Sequence, residues 1–140
     1  MTDLEHDTQR TARRVRRGVI GIIAADDRFL MIRRAPGITK AGYWCFPGGH
    51  LEAGETSRQA IRRELAEELA IDAMPFERVG SVRTSDARYV LAVWRVRHVS
   101  GELRIAKEEV AEVGWFTAAQ IRAITPNLQS NLRVLDMLGM

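Results

Sequence analysis

The chain holds a single cysteine, Cys45, so no internal disulfide can form and a small disulfide-stapled scaffold is excluded. It is also short of lysine: of 21 basic residues only Lys40 and Lys107 are lysine, and the rest are arginine. Those arginines are scattered rather than gathered in one block, so a net charge of +3 does not make nucleic acid the expected partner. No apolar run approaches the roughly 20 residues of a membrane span. The opening stretch, MTDLEHDTQRTARRVRRG, lacks the apolar segment of a secretion signal. With a lone thiol that suits a reducing compartment, a cytoplasmic location is expected. There is no internal repeat, low-complexity tract or linker. At 140 residues the expectation is a loose arm over 1–14 and one domain over 15–140, long enough to bury a core.

Apolar runs and turn residues then place the elements. Gly18–Ala25 reads as a buried strand, Asp26-Asp27 as a turn and Phe29–Ile32 as the return strand of a hairpin. A short aromatic strand, Tyr43–Phe46, is stopped by Pro47-Gly48-Gly49. Phe76–Val82, after a new start at Pro75, and Tyr89–Val99 read as strands. In the second, Val90, Ala92, Trp94, Val96 and His98 share one face and Leu91, Val93, Arg95 and Arg97 the other. Leu103–Ile105 reads as a short strand and Val113–Phe116 as another. Thr117 can cap a helix over 118–124, and Pro126 can open a last helix ending near Leu138. The irregular order of strands and helices argues for a mixed sheet with helices packed on it, an α+β arrangement.

The densest chemistry lies in Gly48–Ile71, a glycine-rich loop running into a helix that Thr56 or Ser57 can cap. Successive helical residues turn by about 100°, so Glu64, Glu67 and Glu68 fall within an arc of roughly 100°. Ala60, Ile61, Leu65 and Leu69 form the neighbouring apolar stripe, which places the acids at the edge of the buried face. Glu64 and Glu68, four apart, repel by a few tenths of a kcal/mol in a bare helix. Arg62 and Arg63 offset part of that, and a divalent cation would offset more. Carboxylates are the hard-oxygen ligands that Mg²⁺ takes together with phosphates and water. A solvated acidic helix face is the other reading of the same three residues.

The surrounding register resembles the Nudix hydrolase box, G-x5-E-x7-R-E-U-x-E-E-x-G-U with U aliphatic. Gly49, Glu55, Arg63, Glu64, Leu65, Glu67, Glu68 and Ile71 stand in register over residues 49–71. One position departs: Ala70 stands where the family has glycine, which commonly takes the left-handed conformation that ends a helix. The departure implies a helix that runs a residue further or turns without a left-handed residue. Pro47-Gly48-Gly49 and the Trp44–Phe46 strand resemble the family's approach to the box.

This resemblance implies an α/β/α sandwich with a mixed central sheet and a Mg²⁺-dependent hydrolase, with Mn²⁺ able to substitute. The reaction is attack of water on the pyrophosphate of a nucleoside diphosphate linked to another moiety. A nucleoside triphosphate, oxidised or non-standard ones included, is the expected substrate. ADP-ribose, dinucleoside polyphosphates and nucleotide sugars stand as alternatives, as does a non-catalytic nucleotide-binding module. By the same resemblance Glu64, Glu67, Glu68 and the Gly48 carbonyl hold metal. Gly49 and Glu55 shape the loop or serve a second metal, and Arg63 orients the acids. Glu67 is the first choice of general base. Glu109 and Glu112, with Glu108 beside them, lie before a strand carrying Trp115-Phe116 and come next. Arg33, Arg34, Arg83 and Arg88 are the candidate phosphate contacts, and Trp44 and Phe46, with Tyr43, the candidate stacking surface. The implied partners are a small nucleotide and, as is common in the family, a second copy of the chain.

Overall fold

A computed structural model of the protein describes residues 15–140; the arm expected over 1–14 lies outside the described residues. The elements run β1 (Arg16–Ile22), β2 (Ala24–Ala25), β3 (Arg28–Arg34), β4 (Trp44–Cys45), β5 (Gly48–His50), α1 (Ser57–Leu69), β6 (Asp72–Arg83), β7 (Tyr89–Ser100), β8 (Val110–Thr117), α2 (Ala118–Ala123) and α3 (Gln129–Met137).

The described residues form two four-stranded sheets. The first has the order β5-β1-β7-β6 and is mixed, since β1 and β7 are parallel and its other pairs antiparallel. In the second, β3 pairs antiparallel with β2, β4 and β8. Leu30 and Ile32 of β3, with Ala92 and Val96 of β7, pack under α1. Phe29 and Met31, with Val93, pack under Ile121 of α2 and Val134 and Leu135 of α3. Strand alternation thus feeds two cores, one on each side of a β layer, and the result is the α/β/α sandwich. The two faces expected for β7 do part in this way.

Several elements differ from expectation. Gly18–Ala25 does not form one hairpin with Phe29–Ile32: only Ala24–Ala25 pairs with β3, while β1 leaves to the other sheet. Asp26 makes the turn in the left-handed region, at φ 57°, which aspartate tolerates. Pro75 lies inside β6 rather than before it. β6 is an edge strand with a register shift between Pro75 and Glu77, and both features accommodate the missing N–H. The aromatic strand ends before Pro47 as expected, but Gly48 and Gly49 are themselves in a strand, since Gly48–His50 pair with β1 as β5. Leu103–Ile105 is not a strand. There Arg104 N–H donates to the Leu69 carbonyl and Ala106 N–H to that of Glu68, each at 2.9 Å, so the segment caps the end of α1. The last helix starts at Gln129, not Pro126, because Asn127 is tied back to the Ile121 carbonyl at the end of α2.

Ala70 takes φ 58° and ψ 29°, and its N–H donates to the Ala66 carbonyl. The helix therefore ends in the left-handed turn usual for glycine, against the expectation that alanine would avoid it. No helix among the described residues is long and apolar enough to cross a membrane.

Candidate active site

α1 is anchored at its start by reciprocal capping. Thr56 Oγ1 accepts from Gln59 N–H at 3.1 Å, and the Gln59 side chain accepts from Thr56 N–H at 2.9 Å. Its apolar stripe, Ala60, Ile61, Leu65 and Leu69, is fully buried. That fixes the rotation of the helix and sets Glu64 and Glu68 against β5, at 9% and 4% exposure. Glu109, from the turn before β8, completes the group: one carboxylate oxygen from each of the three lies within 4.8 Å of the others.

The environment of Glu64 and Glu68 is unfavourable to their charge. Burial, then the charges of Glu64 and Glu109, push the Glu68 carboxyl up to about 9, against the opposing Gly48 N–H at 3.1 Å. Burial likewise raises Glu64, while Arg63 opposes the rise. β5 can approach this closely because Gly48 and Gly49 lack side chains. A methyl group at Gly48 would overlap the Val19 carbonyl at 1.9 Å.

Arg63 holds the rest of the box. Its Nε and Nη2 donate to the two oxygens of Glu55 at 2.7 and 2.9 Å, a bidentate pair. Nη1 donates to Glu64 at 2.9 Å and Glu67 at 3.2 Å, and Nη2 also reaches the His50 carbonyl at 2.8 Å. Hydrogen bonds from Arg63, then from Glu52 N–H, hold the Glu55 carboxyl down at about 2. Arg63 itself is raised, chiefly by Glu55. Both Glu55 oxygens are thereby engaged within the loop.

The structure thus brings together Glu64, Glu68 and Glu109, with Gly48 and Gly49 beside them. Glu67 sits on the outer flank of α1, with a side chain 53% exposed and Arg63 as its partner. Glu112 pairs with Arg33 at 2.7 Å across β8 and β3, away from the triad.

A cavity of about 670 Å³ opens next to Gly48 and Gly49 and is lined by Arg34, Lys40, Tyr43, Cys45 and Phe46. The β6–β7 turn (84–86), Tyr89 and residues 127–132 close it. Arg33, Trp44, Arg83 and Arg88 are not among its lining residues. Trp44 packs edge-on against Phe116 at 4.9 Å, in the second core, and Arg88 is exposed beside Asp86. Burial pushes the Cys45 thiol up to about 11. Sequence reasoning passed over His50 and Tyr89, whose rings meet at 5.3 Å, and Asn127 and Asn131. No local pattern marks them, since they reach the cavity only through long-range pairing.

Comparison with known proteins bears on the family and the fold. A Mycobacterium tuberculosis protein provisionally named 8-oxo-dGTP diphosphatase 2 is 36% identical over 109 residues, covering 76% of each chain. The Escherichia coli CTP pyrophosphohydrolase is 40% identical over 88 residues, covering 61% of this chain and 65% of that one. Among solved structures, the MutT NUDIX hydrolase from Burkholderia pseudomallei aligns with a TM-score of 0.74 at 27% identity, over 87% of this chain and 96% of that one. The family model described as NUDIX domain matches residues 12–138, and the chain belongs to the NUDIX family.

Proposed function

We propose that the protein is a divalent-metal-dependent pyrophosphohydrolase that cleaves a nucleoside triphosphate to the monophosphate and pyrophosphate. One observation carries this reading: three carboxylates converge within 4.8 Å beside a cavity of nucleotide size. Three acids held this close repel, two of them are buried, and the raised Glu68 carboxyl expresses first that burial and then the repulsion. A hard cation is the group that relieves it, so the donor set fits Mg²⁺ or Mn²⁺. Glu64, Glu68 and Glu109, with the Gly48 carbonyl, would hold the ion. When bound, it supplies polarisation of phosphoryl oxygens and a lowered pKa of coordinated water.

The chain's own groups do the rest. Arg34 uses its Nε on the Thr39 carbonyl, which holds its guanidinium on the cavity wall as a positive charge for phosphate oxygens. Lys40, also on the cavity wall, adds a second positive charge. Phe46 offers an apolar surface to the base. Glu67, solvent-accessible and oriented by Arg63, accepts the proton of the attacking water, and Glu109 is the next group able to do so. Relatives named for hydrolysis of 8-oxo-dGTP and CTP support a triphosphate substrate.

The test is a panel of nucleoside triphosphates, ADP-ribose, dinucleoside polyphosphates and nucleotide sugars with Mg²⁺ or Mn²⁺, reading pyrophosphate or phosphate release. Pyrophosphate from triphosphates is expected. No turnover of any compound would leave a nucleotide-binding module instead.

A further inference from the structure

Asn131, in the first turn of α3, is 1% exposed yet lines the cavity. It is the one buried polar residue there that the hydrolytic chemistry does not use.

Its amide has a fixed orientation. Asn127 Nδ2 donates to the Ile121 carbonyl at 2.7 Å, which leaves Asn127 Oδ1 to accept. Asn131 Nδ2 donates to that oxygen at 3.0 Å and to the Trp44 carbonyl at 2.9 Å. Both ends of this relay are backbone carbonyls, which can only accept, so neither amide can be turned over without placing oxygen against oxygen. Both Nδ2 hydrogens of Asn131 are consumed.

Its Oδ1 is left. No donor among the described residues reaches it. No enclosed side-chain nitrogen or oxygen among the described residues lacks a partner, so this oxygen keeps accessible surface, on a residue that lines the cavity. A buried acceptor locked in place and facing a cavity is the arrangement that selects a ligand donor. Phe46, Leu91 and Leu128, which line the same cavity, carry no side-chain donor.

We infer that Asn131 Oδ1 accepts a hydrogen bond from the exocyclic amino group of the substrate's base, so that the cavity prefers amino-bearing bases over their oxo counterparts. This rests on reading the cavity as a nucleotide site. The preference has a physical origin: a carbonyl-bearing base edge would set its oxygen against Oδ1 and leave that acceptor unpaired. Asn127 acts only through Asn131, as a positioning residue.

The test is equilibrium binding of nucleoside monophosphates, which needs no hydrolysis. The matched pairs are CMP with UMP and AMP with IMP, each differing by an amino group in place of an oxo group. The wild type binds the amino member of the better-bound pair about five- to tenfold more tightly. Asn131→Leu brings that ratio to about one while the oxo member binds as before. Asn127→Ala lowers the ratio part of the way, and its circular dichroism and melting curve report whether the fold is kept. Equal binding of both members in both pairs by the wild type, or no binding of any of the four, would overturn the inference. So would a folded Asn131→Leu with an unchanged ratio. None of these outcomes touches the triphosphate assay. Conversely, a preserved amino preference without turnover would count against hydrolysis and leave the inference standing.

Discussion

Gly49 lies flat against the carboxylate of Glu64: a methyl group on its Cα would stand 2.3 Å from Glu64 Cδ and 2.4 and 2.5 Å from the two oxygens. Backbone and acid occupy one another's contact surface, so the position of β5 and the aim of Glu64 are a single variable.

Gly49→Ala is therefore expected to move Glu64 off Arg63 Nη1 and out of the triad. Overpacking of this kind costs about 1–3 kcal/mol of stability. Divalent-cation affinity should fall at least tenfold, beyond what the stability loss explains. Mn²⁺ titration beside a thermal melt checks both, and undiminished Mn²⁺ affinity would count against the triad as the metal site.

The raised Glu68 carboxyl links protons to metal. Its ordinary value is 4.5 and its folded value about 9. Between those values the unfolded chain has lost the proton and the folded chain keeps it. The metal-free protein thus loses stability as pH rises from about 4.5 to about 9. At pH 7, binding of Mg²⁺ should release about one proton. Calorimetry in two buffers of different ionisation enthalpy measures this, and Glu68→Gln should abolish the release.

Glu55 has the opposite sign. Its carboxyl is depressed from 4.5 to about 2, so its contribution is complete above 4.5 and disappears as pH falls toward 2. Denaturant unfolding across that range should show a limb that Glu55→Gln flattens. An unchanged limb would show that the Arg63 pair contributes nothing in solution.

Ala70 is a site for stabilisation. A left-handed alanine costs about 1–2 kcal/mol, part of which glycine gives back through the entropy of the unfolded chain. Ala70→Gly should raise stability by roughly 0.5–1 kcal/mol, read as a shifted urea midpoint at constant slope, with hydrolysis unchanged.

Glu67→Gln tests the proton acceptor. A general base contributes about 10²–10⁴-fold, so kcat should drop by at least a hundredfold with Mg²⁺ affinity largely kept. Full turnover would pass the role to Glu109.

What could be read from the sequence was what short-range periodicity encodes. The buried stripe of α1, the caps at Thr56 and Thr117 and the two faces of β7 each depend on residues a few places apart. The box register marked Glu64 and Glu68 for the same reason. It set Glu67 rather than Glu109 beside them as a metal ligand, because Glu109 reaches the cluster through long-range contacts, the pairing of β8 with β3 among them. Asn131 was out of reach likewise: its partner is the Trp44 carbonyl, and backbone carbonyls leave no mark in a sequence. Ala70 was misread for a different reason. Local preference opposed the left-handed turn, and two contacts from residues 104 and 106 onto the end of α1 hold that region in place.

Those two contacts also provide an intrinsic reporter. The Arg104 and Ala106 amides close on the last carbonyls of α1, on the stretch of chain that delivers Glu109 to Glu68. Whenever that seam opens, the two amides become free to exchange with solvent and the third carboxylate loses its anchor at the same moment. Their hydrogen-exchange rates therefore count how often the carboxylate cluster comes apart, in a protein carrying no ligand at all.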